Sequence, residues 1–144
     1  MKYEKKSIDK YKETSIKTAS PIKIIVMLYD EAIAQLEYAM QLLDNKTKQL
    51  DKVNNAIGKT QDIITELLVS LNMQEGGEIA HNLFRLYMFF NKLLTQANLQ
   101  KENSSELQSV HRMLSELRES WHSIQDKVSP SSHSQSEGNI NIIG

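Results

Sequence analysis

Cysteine is absent from the 144-residue chain, and its absence excludes disulfides, thiolate metal sites and a cysteine nucleophile. Proline occurs twice and glycine five times, too few turn residues for a many-stranded β architecture. An excess of one charge is also missing: 17 Lys and Arg face 18 Asp and Glu, interleaved along the chain, for a formal net charge of −1. Without a basic field to hold a phosphate backbone, nucleic acid is not expected as a ligand. The longest apolar run, Ile24 to Tyr29, is far too short to cross a bilayer. The opening Met-Lys-Tyr-Glu-Lys-Lys lacks the apolar stretch of a secretion signal. A cytosolic protein with no membrane insertion is expected.

What the chain has instead is helix formers. Lysine, glutamate, leucine and glutamine abound, and an apolar share of 40% fills one core in one domain. The organising stretch runs from Thr18 to Asp30. Ser20 offers a side-chain oxygen to the first-turn amides, and Pro21 sits at the first helical position, where no N–H is needed. The spacing predicts a helix from Pro21 to Leu43 with a stripe of Ile25, Leu28, Ala32, Leu36, Ala39 and Leu43, flanked by Tyr29, Ile33 and Met40. Lys23, Asp30, Glu37 and Asp44 keep its other face wet. Its first turns, Ile24 to Tyr29, are apolar on every side and need cover on more than one face.

A second helix is predicted from a cap near Asp51, carrying Val53, Ala56, Ile57, Ile63, Ile64, Leu67 and Leu71. Gly58 and Thr60 thin that stripe, as a close-packing point or a soft region. Gly76-Gly77 breaks the pattern, and a third helix follows from Gly77 or Glu78 with Ile79, Leu83, Leu86, Tyr87, Phe90, Leu93, Leu94 and Ala97. After a turn over 98–103, Ser105 and Gln108 have capping-box spacing. The fourth helix repeats in near-heptads through Leu107, Val110, Leu114, Leu117, Trp121, Ile124 and Val128. Four helices on short turns run up-down-up-down, so the expected fold is all-α, an antiparallel four-helix bundle over 20–128. Residues 1–19 are expected to form an arm or short helix, which on a helix would place Ile8, Tyr11 and Ile16 in one arc. The Ser-rich stretch 129–144 is predicted to be a disordered tail.

One enzymatic arrangement has to be weighed. Glu78-x-x-His81 and Glu119-x-x-His122 have the spacing that di-iron bundles use, with Glu31, Glu37 and Glu66 to complete a set. Phase argues against it, because at about 100° per residue His81 and Glu119 point away from their helices' apolar stripes. Ligands facing water on separate helices cannot close a site. Gly76-Gly77 lacks the strand before it and the Lys-Ser or Lys-Thr after it that a phosphate loop requires. No catalytic residue, metal or cofactor is assigned, and an enzyme is not expected.

Function is better sought in apolar residues that a bundle does not need. Phe84 and Met88 form an i, i+4 pair off the main stripe of the third helix, with Phe89 on the other flank. Surplus apolar surface of this kind marks a binding groove. The rival is a homo-oligomeric scaffold in which Phe84 and Met88 form a dimer seam; a monomer or weak homodimer is expected. The same argument extends to Val69 and to the first turns of the first helix.

These residues also carry a resemblance. Thr18-Ala19-Ser20-Pro21 leads into Met27-Leu28-Tyr29-Asp30-x-Ala32-Ile33. Ile63-Ile64-x-Glu66-Leu67 and Ser70-Leu71-Asn72 follow, then Gly76-Gly77-Glu78-Ile79-Ala80-x-Asn82-Leu83-x-x-Leu86-Tyr87, Ala97-Asn98 and Leu117-Arg118-x-x-Trp121. In this order the blocks resemble the FliS family of flagellar secretion chaperones, over about Tyr11 to Val128. The resemblance implies a cytosolic helical bundle that binds the C-terminal segment of newly made flagellin. It further implies that the chaperone prevents early polymerisation and presents its client to the flagellar type III export gate, with its own N-terminal arm shifting to make room. It assigns partner binding to Tyr11, Ile16, Ser20, Pro21, Asn72, Asn82 and Tyr87. Helical phase alone adds Phe84, Met88 and Phe89.

Overall fold

Good helix formers on a continuous apolar stripe, opened by Pro21, make the first element a 24-residue helix, α1 (Pro21–Asp44). The computed structural model describes residues 21–127. Three further helices follow, α2 (Leu50–Val69), α3 (Gly77–Gln100) and α4 (Ser105–Lys127). Each packs on its chain neighbours, and α1 also packs on α4, which closes the ring of an antiparallel four-helix bundle. Hydrogen bonds fix the direction. Asp44, Glu37 and Asp30 on α1 meet Asn103, His111 and Arg118 in turn at the head of α4 and along it, so one number rises as the other falls. The core is one cluster running from Tyr29 and Leu67 through Phe90 and Leu36 to Leu43 and Leu107.

Ala32, Leu36, Ala39 and Leu43 of the α1 stripe are buried as expected, and only its first turns are rotated. Ile22, Val26 and Tyr29 are buried, while Ile25 and Leu28 are half-buried. In a segment apolar on every side, periodicity has no contrast with which to choose a face, and the neighbouring helices choose it. The second helix starts at Leu50 without a side-chain cap. Asp51 lies in its first turn, where a carboxylate favours the positive end of the helix dipole. A Cβ on Gly58 would meet nothing within 4 Å, so it is not a close-packing point. Thr60 is sealed in the core, where its hydroxyl donates to the Ala56 carbonyl at 3.0 Å, satisfying the polar atom within its own helix.

Gly77 opens α3 with φ +58°, a conformation that favours glycine. Ile79 has core phase yet is 68% exposed. The Gln61–Thr95 and Asn91–Thr65 bonds set α2 against α3 so that Val69, the last residue of α2, lies level with the Phe84–Met88 turn. The first turn of α3 therefore overhangs the end of α2. Residues 98–100, expected in a turn, continue α3, which ends at Lys101 in the left-handed conformation. The cap of α4 is Ser104, whose Oγ accepts from the Leu107 amide at 3.4 Å. Gln108 donates to the Asn103 carbonyl instead of closing a box with Ser105.

Candidate functional site

The two flanks of α3 face different neighbours. Core positions are Ala80, Leu83, Tyr87, Phe90, Leu94 and Ala97. On one flank, Gln61 of α2 donates to the Asn91 carbonyl (3.1 Å) and the Thr95 hydroxyl (2.9 Å), and Asn91 donates to Thr65 (3.2 Å). Phe84 and Met88 continue that flank at seven-residue steps below Asn91 and Thr95. They are 36% and 53% exposed, beside the exposed Val69. The α2–α3 seam is thus polar above and apolar below.

The other flank, Asn82, Leu86, Phe89 and Leu93, turns towards α4. The far side of α4 is occupied, because Arg118 Nε donates to Asp30 at 2.7 Å and His111 Nε2 lies 2.9 Å from Glu37 Oε2 on α1. Its remaining flank, Met113, Leu117 and Ile124, faces α3. Of the four seams, α3–α4 is the most sparsely packed. Leu86, Leu93, Met113, Leu117 and Trp121 touch the core yet are only partly buried, and Phe89 stands on the rim at 46% exposure. The result is a trough with an apolar floor. Apart from Asn82 the side chains named from the two flanks are apolar, so covering them with an apolar occupant is favourable.

Beneath the lower end of the trough lies a buried polar pair. Tyr29 and Tyr87, diagonal across the bundle, share a hydroxyl hydrogen bond of 2.6 Å, with ring centroids 6.5 Å apart. Burial pushes the Tyr29 phenol up, with hydrogen bonds to Tyr87 and Trp121 pulling the other way. Burial, reinforced by Tyr29, pushes the Tyr87 phenol up far more strongly. Both rings stay neutral in the core.

Tyr87, which the spacing places in the apolar stripe of the third helix and the resemblance assigns to partner binding, is 1% exposed and packs in the core with Phe90 and Leu94. Asn72 braces the α2–α3 turn: its Oδ1 accepts from the Gln74 and Glu75 amides at 3.2 and 3.0 Å, and its Nδ2 donates to the Glu75 carboxylate. Pro21 is exposed at the head of α1, and Asn82 is exposed at the trough's lower end. Phe84 with Met88 and Phe89 with Asn82 occupy separate strips. Tyr11, Ile16 and Ser20 lie outside the described residues. Sequence reasoning assigned Leu86, Leu93, Leu117 and Trp121 to the core and overlooked Met113. The available signal was that α3 carries more apolar residues than one stripe needs.

The di-iron arrangement does not form. Glu78, His81 and Glu119 are exposed, His81 Nδ1 lies 2.8 Å from its own helix's Gly77 carbonyl, and Glu119 pairs with Arg118 at 2.9 Å. Among the described residues no three His, Asp or Glu side chains are grouped to hold a metal, and no helix is long and apolar enough to cross a membrane.

Comparison with known proteins agrees with the resemblance. The family model described as flagellar protein FliS matches residues 4–128. The flagellar secretion chaperone FliS of Vibrio cholerae serotype O1 is 34% identical over 143 residues, covering 97% of this chain and 95% of that protein. That of Salmonella typhimurium is 36% identical over 120 residues, 81% of this chain and 85% of its own length. That of Bacillus subtilis is 28% identical over 111 residues, with 77% and 80% covered. With a helical bundle, an open apolar trough and a family match across most of its length, the chain belongs to the FliS family of flagellar secretion chaperones, which are not enzymes.

Proposed function

We propose that this chain binds the C-terminal segment of flagellin in the cytosol, keeps it from polymerising early, and passes it to the flagellar export gate. The observation that carries this reading is the α3–α4 trough, whose Leu86, Leu93, Met113 and Leu117 rest on the core while remaining open to an occupant. An unstructured amphipathic segment gains helix only by burying its apolar face, and a trough with a dry floor supplies the partner for that face. The Phe84–Met88–Val69 strip offers a second point of contact, and contacts spread over two strips favour a long client. Ordering such a client offsets much of the contact energy, so the complex stays releasable.

Titration with a peptide copying a flagellin C-terminus, followed by calorimetry and circular dichroism, tests the reading. Saturable 1:1 binding with a gain of helical signal is expected, and Phe89→Asp should weaken it by at least about tenfold. Absence of heat and of helix gain overturns it. In the rival arrangement the same apolar surface is a dimer seam, and sedimentation would show a dimer that the peptide does not dissolve.

A further inference from the structure

Beyond Lys127 the chain continues as Val128-Ser129-Pro130, a Ser-rich stretch to Gly138, and then Asn139-Ile140-Asn141-Ile142-Ile143. Between residues 129 and 144 those three isoleucines are the only large apolar side chains, and they lie outside the residues matched by the family model. We propose that residues 139–143 fold back into the α3–α4 trough of their own chain and compete with the client for it.

Three observations support this occupant. The first is position: α4 ends at Lys127, three residues past Ile124, at the trough's lower mouth. The connecting chain therefore starts where the apolar floor begins. The second is reach. Residues 128–138 can extend up to roughly 36 Å at about 3.3 Å per residue, and α3, with 24 residues, is about 36 Å long at 1.5 Å rise. Ile140 can therefore be delivered to any level of the trough. The third is chemistry. The segment is uncharged, as are the trough residues Leu86, Phe89, Leu93, Met113, Leu117 and Ile124. In an extended segment Ile140 and Ile142 point to one side about 6.7 Å apart, close to the roughly 6 Å rise between Phe89 and Leu93 along α3.

A tethered segment acts at an effective concentration of about millimolar, so even weak docking lowers the fraction of molecules open to a client. Apparent client affinity falls by that fraction. A short, displaceable cover would keep the trough from sticking to other apolar surfaces and still yield to a client that contacts both strips of α3.

The proposal rests on the trough being the client site, so its test has a readout that needs no client. A photoreactive benzoylphenylalanine in place of Ile142 in the full chain should cross-link within the monomer to the segments around 82–93 and 113–124. Peptide mass spectrometry locates the products. In parallel, I140D/I142D/I143D, which keeps the linker intact, should tighten binding of the flagellin-tail peptide about three- to tenfold. Cross-links that miss both segments, or that join only two different chains, overturn the proposal, as do equal peptide affinities. If the peptide binds neither form while the cross-links map to the trough, the tail inference holds and the flagellin reading falls. If the peptide binds both forms alike and the cross-links lie elsewhere, the flagellin reading holds and the tail inference falls.

Discussion

The two flanks of α4 are built from different chemistry. Towards α1 the flank is polar and bridged, with Asp30–Arg118, Glu37–His111 and, at the top of the seam, Asp44–Asn103 each finding its partner inside the chain. Towards α3 the flank is Met113, Leu117 and Ile124, half-covered over the most sparsely packed seam. Polar pairs saturate, since a carboxylate bound by a guanidinium has little left to offer. Apolar surface remains available in proportion to the area still wet. The polar seam is bridged by these pairs, although Ala34, Glu37, Tyr38, Gln41 and His111 also line a shallow groove along it, while the α3–α4 seam leaves its apolar side chains half-buried. The family blocks around Tyr29-Asp30 and Leu117-Arg118-x-x-Trp121 meet here, because Arg118 reaches Asp30.

The sharpest way to break this contrast uses two adjacent phenylalanines. Phe90 is sealed in the core and Phe89 stands on the trough rim. Phe90→Ala should cost about 3–5 kcal/mol, lowering Tm by roughly 10–20 °C, as read by thermal circular dichroism. Phe89→Ala should move stability by less than about 1 kcal/mol yet weaken the flagellin-tail peptide several-fold. Similar losses of stability in both variants would mean that the trough is part of the core.

Next in size is Tyr87→Phe, which leaves the buried Tyr29 hydroxyl without its partner and should cost about 1–3 kcal/mol. Its pH signature follows from the raised phenols. Below the ordinary tyrosine value of about 10, both folded and unfolded chains hold the protons. As pH rises past it the unfolded chain ionises while the folded core keeps its phenols neutral, so stability falls. Urea unfolding between pH 8 and 11 should show a shallower alkaline decline for Tyr87→Phe than for the native chain.

Gly58→Ala should stabilise by about 0.5–1 kcal/mol, since the added methyl meets open space within α2. A loss of stability there would restore the close-packing alternative. The smallest effect belongs to the polar seam. Arg118→Ala should cost less than about 1 kcal/mol, the usual worth of an exposed ion pair, and the difference should shrink in high salt. Peptide affinity should be unchanged.

Most of the bundle was legible because helical phase is local. Periodicity located four helices within a few residues of their observed ends, and the surplus of Phe84, Met88 and Phe89 followed from counting apolar residues against one stripe per helix. The errors arose where phase carries no information. Ile24 to Tyr29 is apolar all round, so the buried face of the first turns of α1 was misplaced by a fraction of a turn, while Ala32, Leu36, Ala39 and Leu43 were placed correctly. Ile79 has core phase but overhangs the end of α2, and overhang depends on helix lengths elsewhere. Tyr87 shares the phase of Phe90 and is buried with it, because phase reports which side of one helix faces inward.

By itself the sequence determined four amphipathic rods and more apolar surface than those rods consume, since each of these depends on residues within a few positions of one another. Only the tertiary structure decided which flank of α3 meets Gln61 and which lies over Met113 and Leu117, that Tyr29 and Tyr87 share a hydrogen bond across the bundle, and that the α3–α4 seam is the most sparsely packed. Those features depend on the distances between helices, which are set by how all four pack at once.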